Sequence, residues 1–156
     1  MGHGDMFEFH YCIDLVIVHP SIDPETVTER IDDFQPAIET KAGDERCDVH
    51  GQPLGRKARL SVWSAPLHET SRLYSETDSL SDFIGARLVV LERHRELFSE
   101  LNKEGQVMLR IGWFSDTSHS AACLGLDAIR KCADLGLEIE LNYYVPPDED
   151  RCRTTY

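Results

Sequence analysis

The chain has 156 residues, 41% of them hydrophobic and 28% charged, and a formal net charge of −12. That length suits one domain that buries its own core without a disulfide or a structural metal. No apolar run approaches the roughly 20 residues that cross a bilayer, so a soluble protein without membrane association is expected. The negative field repels phosphate backbones, which argues against nucleic-acid binding and for a neutral or basic partner.

The opening Met1-Gly2-His3-Gly4-Asp5 has neither a basic region nor an apolar core, and the five cysteines are irregularly spaced, a pattern that fits reduced thiols in a cytoplasm. Phe7, Phe9, Tyr11, Ile13, Leu15 and Ile17 then alternate with Glu8, His10, Cys12 and Asp14, the period of a strand with one buried face. Asp23 as N-cap, Pro24 at the first helical position and a Val27, Ile31, Phe34 stripe mark a short amphipathic helix.

Residues 35–57 are polar and interrupted by Pro36, Gly43, Gly51, Pro53 and Gly55, which reads as a long loop. "ARLSVWSA" follows as a strand, with Leu60 and Val62 on one face and Arg59, Ser61 and Trp63 on the other. Leu80, Ile84, Leu88, Leu91, Phe98 and Leu101 recur at helical spacing, giving the longest helix, with Gly105 as its stop. "QVMLRIGWF" is a strand burying Val107, Leu109, Ile111 and Trp113 while Phe114 turns outward. "LDAIRKCADLG" is a helix with Ile129, Cys132, Ala133 and Leu135 inward and Gly136 as its stop. "LEIELNYYV" closes the pattern with Leu137, Ile139, Leu141, Tyr143 and Val145 in one phase, before Pro146-Pro147 and a loose tail over 146–156.

A single α+β domain over 1–145 follows. Its element order suggests two right-handed βαβ units joined by the long helix: a ferredoxin-like sandwich with a four-stranded mixed sheet and helices on one face.

"GWFSD" at 112–116 and "LGLDAIRKCADLGLEIELNYY" at 124–144 resemble the C-terminal signature of a bacterial family catalogued as domain of unknown function 4279. Pro36, Lys41-Ala42-Gly43-Asp44 and "LSVWSAPL" at 60–67 are similar to its middle segment. The resemblance spans roughly positions 8–145 and implies a shared fold and a bacterial origin, with no established activity. Where a small glycine-rich turn is expected after Ser115-Asp116, this chain has Thr117 to Cys123.

In such a sheet the face without helices collects the out-of-phase residues. His10, Asp14, Arg59, Trp63, Arg110, Phe114, Glu140 and Tyr144 form the candidate binding face, enriched in the Arg and aromatic types that anchor recognition. Asp116 and His119 form a candidate loop site, although Ser115 and Asp116 also suit a turn built on side-chain to backbone hydrogen bonds. His10, Cys12 and Asp14 share a strand face at about 6.8 Å between alternate residues, with His119 as a fourth donor. No C-x-x-C, H-E-x-x-H or H-x-H accompanies them, so no metal is assigned. Cys47 near His50, with Asp44 and Asp48, is a nucleophile-base pair by composition alone.

No phosphate-binding glycine loop, dinucleotide fingerprint or nucleophile elbow occurs, so no cofactor is implied. The expected function is a non-enzymatic protein-interaction module, one concrete version being an immunity-type protein that masks a basic toxin. The alternative is a small-molecule or metal-dependent enzyme with a pocket between the open face and the 35–57 and 115–124 loops. Isologous pairing into a homodimer through the open face is a third expectation.

Overall fold

The computed structural model describes residues 9–70, 72–115 and 120–144. In chain order, β1 (His10–His19) leads to α1 (Pro24–Arg30), then to the short strands β2 (Ile38–Thr40), β3 (Glu45–Cys47) and β4 (Pro53–Lys57). β5 (Ser61–Pro66) and β6 (Leu73–Tyr74) precede α2 (Leu80–Leu91), a 3-10 turn over Glu92–His94, and α3 (Arg95–Leu101). β7 (Gln106–Phe114), α4 (Leu126–Asp134) and β8 (Glu138–Tyr144) complete the described chain. The architecture is α+β, and among the described residues no helix is long and apolar enough to cross a membrane. The expected tail over 146–156 lies outside the described residues.

The main sheet has six strands, ordered β2-β5-β1-β7-β8, with β6 pairing beside the start of β1. β1 runs antiparallel to both β5 and β7, whereas β7 and β8 are parallel. Only the second expected βαβ unit, β7-α4-β8, therefore forms. The first is corrected: the sheet is not four-stranded, and β1 and β5 do not show the parallel pairing of a ferredoxin-like sandwich. Residues 35–57 supply the reason, because they are not one long loop. They carry β2, which pairs with β5, and the β3–β4 hairpin, so the chain reverses again before β5 begins. Strands of three to five residues with no apolar period leave nothing for a periodicity argument to detect.

The alternation in β1 sets one dry face. Tyr11, Ile13, Leu15 and Ile17 are at most 1% exposed and pack with Val27 and Ile31, with Leu80, Ile84, Leu88 and Leu91, and with Phe98 and Leu101. Ile17 lies opposite Trp63 and Leu15 opposite Ala65, which puts Trp63 in the core at 1% exposure. The expected phase of β5 is thus inverted, and Trp63 leaves the candidate binding face. Its indole Nε1 donates to Thr28 Oγ1 at 2.9 Å, and Thr28 donates onward to Glu39, so the buried donor is satisfied on the helix side.

The expected long helix is divided. At the 3-10 turn His94 points inward, with Nε2 2.6 Å from Asp33 Oδ2. Arg93 donates to Asp33 Oδ1 and Asp32 Oδ1, each at 3.0 Å. This clasp ties the segment after α1 to the helix joint, and the tighter turn rephases the stripe so that Leu97, Phe98 and Leu101 all reach the core. Gly105 is not a left-handed cap: a Cβ there would stand 2.4 Å from the Val18 carbonyl oxygen, so the glycine permits close approach to β1. Gly136, at φ +69°, is the expected helix stop. α4 buries Ala128, Cys132 and Leu135, while Ile129 and Ala133 face outward. Cover from α4 ends near Leu137, and Ile139, Leu141 and Tyr143 of β8 are 39%, 59% and 51% exposed, contrary to their expected burial.

Tyr11 donates its hydroxyl to the Asp78 carbonyl at 2.7 Å. Burial, and secondarily the Asp78 charge, push its phenol from 10.0 up to about 12. The unfolded phenol ionises first, so this contribution is intact below the unfolded value and is lost as pH rises from about 10 to about 12, by roughly 2–3 kcal/mol. Tyr11→Phe flattens that alkaline decline while costing about 1 kcal/mol at neutral pH through the missing hydrogen bond. Denaturant titrations of both proteins at neutral pH and across the alkaline window check this.

Candidate functional site

The face opposite the helices is organised by register. β1, β7 and β8 place His10, Phe114 and Tyr144 in one row, Cys12, Gly112 and Asn142 in the next, and Asp14, Arg110 and Glu140 in a third. Val16 and Met108 follow, buried at 0% and 6% exposure. Six of the eight face residues expected from alternation therefore stand together: His10, Asp14, Arg110, Phe114, Glu140 and Tyr144. Arg59 sits in the bend before β5 rather than within the strand. Asp116 and His119, the expected loop site, lie outside the described residues.

The outermost row is aromatic. Phe114 and Tyr144 stack with centroids 4.6 Å apart and planes 8° apart, and the Arg72 guanidinium lies 4.0 Å from the Phe114 centroid. Tyr74 meets His10 edge-on at 4.4 Å. Tyr74 and Tyr144 are 52% and 50% exposed, so the row is ordered by its own stacking yet open to solvent. Trp113 points the other way, stacking on Phe9 at 3.9 Å and donating from Nε1 to Ser120 Oγ at 2.8 Å.

The charged row is largely self-satisfied. Arg110 donates from Nε to Glu140 Oε1 at 2.7 Å, and Asn142 Nδ2 donates to the same oxygen at 3.1 Å. Those bonds, Arg110 first, hold the Glu140 carboxyl below its usual range. Both partners keep about a third of their side chains exposed, so the pair orders the face without adding much stability. Asp14 differs: burial pushes its carboxyl up, against the opposing charges of His68 and Arg110. Burial, followed by the Asp14 charge, also pushes the Cys12 thiol up, which disfavours a reactive thiolate.

A second feature occupies the β2–β5 end of this face. Ile38 and Thr40 pair across from Ser64 and Val62 on the side opposite Trp63. With Leu60, they floor a cavity of about 590 Å³ whose remaining wall includes Arg46, Arg56, Lys57 and Arg59. This cationic wall was not anticipated, because 35–57 reads as a loop. The available signal was local: between positions 46 and 60 those four cations accompany a single acid, Asp48.

The composition-based nucleophile pair finds no support in the hairpin. Asp48 Oδ1 accepts from the backbone of His50 and Gln52 at 2.8 and 2.9 Å, and Asp44 Oδ2 accepts from the Lys41 amide at 3.1 Å. Both carboxylates shape turns. Among the described residues, the group with metal-ligand spacing is Asp32, Asp33 and His94, where Arg93 already supplies the positive charge. The chain matches no protein-family model, no curated protein and no solved structure at a significant level.

Gly112 is required by the face itself. A Cβ there would lie 2.5 Å from Cys12 Sγ and 3.4 Å from the Phe114 ring. Gly112→Ala is expected to cost about 1–3 kcal/mol by overpacking, and Cys12→Ala in the same chain to recover most of it. A double-mutant cycle measured by denaturant unfolding reads the coupling, and additive losses would place the strain elsewhere.

Proposed function

We propose that the protein is a cytoplasmic, non-enzymatic interaction module that engages a neutral or basic protein partner through the aromatic row of its open sheet face. The observation that carries this reading is the pre-ordered set of Phe114, Tyr144 and Arg72 flanked by His10 and Tyr74. Aromatic and arginine side chains anchor recognition, and here strands hold His10, Tyr74, Phe114 and Tyr144 while Arg72, just before β6, is ordered over the Phe114 ring. The net charge of −12 favours encounter with a basic surface. An immunity-type protein that masks a basic toxin is a concrete form of this reading. The likeness to domain of unknown function 4279 belongs to the same proposal and brings no activity with it. The enzyme alternative is weaker: the charged row is engaged internally by Arg110, Glu140 and Asn142, and the Cys12 thiol is held up.

Replacing Tyr144 with a photoreactive phenylalanine analogue in bacterial cells should yield an adduct with a neutral or basic protein. The same analogue in place of Arg130, on the outer side of α4, should yield none. Arg72→Ala should lower the Tyr144 adduct several-fold while leaving thermal unfolding nearly unchanged. Equal adducts from both positions, or none from Tyr144, would reject the face.

A second reading rests on β8. Its outer edge has no pairing strand among the described residues, and Ile139, Leu141 and Tyr143 beside it are exposed. Unprotected edges of this kind pair with further strands, which suggests a homodimer through β8 rather than through the aromatic row. Native mass spectrometry should then show a dimer that Leu141→Lys converts to monomer.

A further inference from the structure

We infer that the cavity at the β2–β5 end of the open face is a binding site for a small organic anion that carries phosphate and an apolar or ring-shaped body. The inference is independent of the aromatic row and of any protein partner.

The cavity volume, about 590 Å³, falls within the range of roughly 300–1,000 Å³ typical of small-molecule sites. Its floor is apolar: Ile38 from β2, Leu60 from the bend before β5 and Val62 from β5, together with Ala58. Ile38 and Leu60 are 47% and 45% exposed, so apolar surface remains there for a ligand to cover. Around that floor stand Arg46 from β3, Arg56 and Lys57 from β4, and Arg59 from the bend that follows.

The charge pattern identifies the ligand class. The whole chain has 28 acidic and 16 basic residues, yet among the described residues no acid lines this cavity. Among the described residues, Arg46, Arg56, Lys57 and Arg59 take part in no salt bridge; Arg30, Lys41, Arg93, Arg95, Arg110 and Arg130 do, Arg72 and Arg87 lie over the Phe114 and Phe83 rings, and Lys103 and Lys131 likewise take part in none. Asp44 and Asp48 each lie two residues from Arg46, and their carboxylates are engaged by turn amides of Lys41, His50 and Gln52. Glu45 pairs opposite Lys57 in the hairpin but is not part of the lining.

Four like charges around one concavity repel each other and focus a positive potential into it, which an anion relieves. A single carboxylate would neutralise only one of them. A phosphomonoester or diphosphate, at about −1.5 to −3, matches the wall better, and three planar guanidinium groups suit its bidentate oxygens. The apolar floor has no use for inorganic phosphate alone, so the ligand carries a body that spreads over Ile38, Leu60 and Val62.

Isothermal titration with ADP, inorganic pyrophosphate and adenosine tests the assignment. ADP should bind more tightly than either fragment, and its affinity should fall steeply with added salt. Arg46→Ala combined with Arg56→Ala should weaken ADP by at least about tenfold, in line with the loss of charge-assisted hydrogen bonds. Leu60→Ala should bring ADP close to pyrophosphate. These residues are exposed, and circular dichroism with thermal melting verifies that each variant folds. Arg72→Ala and Tyr144→Ala should leave the titration unchanged, which separates this site from the proposed partner face. No binding of ADP or pyrophosphate, or ADP binding unaltered by the double arginine variant, would overturn the site. Equal affinity for ADP and pyrophosphate, indifferent to Leu60→Ala, would overturn its organic character.

Discussion

The central strand β1 is the constraint on which the rest of the molecule depends. It pairs along one edge with β5 and β6 and along the other with β7, so its two faces dictate which side chains of its neighbours are dry. Tyr11, Ile13, Leu15 and Ile17 fill one face with large apolar groups, and a slip of one residue in either pairing would carry a whole set to the wrong side. The helices cover that face alone, and both candidate binding features lie on the other. The open face and the core are therefore products of the same register.

Two devices on the open face follow from this arrangement. Where β1, β7 and β8 align, a row of aromatics stacks across the sheet because paired strands bring Phe114 and Tyr144 within contact of each other, and Gly112 leaves space for the Cys12 sulfur. Where β5 meets β2, no such filling occurs. The β3–β4 hairpin instead contributes cations beside an apolar floor. One face thus combines an aromatic and arginine-rich end with a cationic concavity, on a protein whose net charge is strongly negative.

Much of the fold was legible from alternation and capping. The N-cap at Asp23, the stripe from Leu80 to Leu101, the glycine stop at Gly136 and the parallel unit from β7 to β8 all follow from local chemistry. The open face was legible wherever a strand has a clean period, which is why His10, Asp14, Arg110, Phe114, Glu140 and Tyr144 were found together. β5 was misread because both of its phases contain apolar residues, Leu60 and Val62 against Trp63 and Ala65. Only the pairing of Ile17 with Trp63 distinguishes them. β8 was misread in a different way: its period is regular, yet as an edge strand it extends past the reach of α4.

By itself, the sequence determined the long strands β1, β7 and β8, the helices α1 and α4 with the Asp23 cap and the Gly136 stop, and which face of β1 and β7 is dry. These depend on side-chain spacing and on caps within a few residues of each other. Tertiary structure alone decided that β1 and β5 run antiparallel, that the 35–57 segment adds a strand and a hairpin, and that Trp63 belongs to the core. It alone gathered Arg46, Arg56, Lys57 and Arg59 around one cavity. Each of those outcomes depends on which distant segment a strand pairs with, and backbone hydrogen bonding between strands carries no signature in the local pattern of either partner.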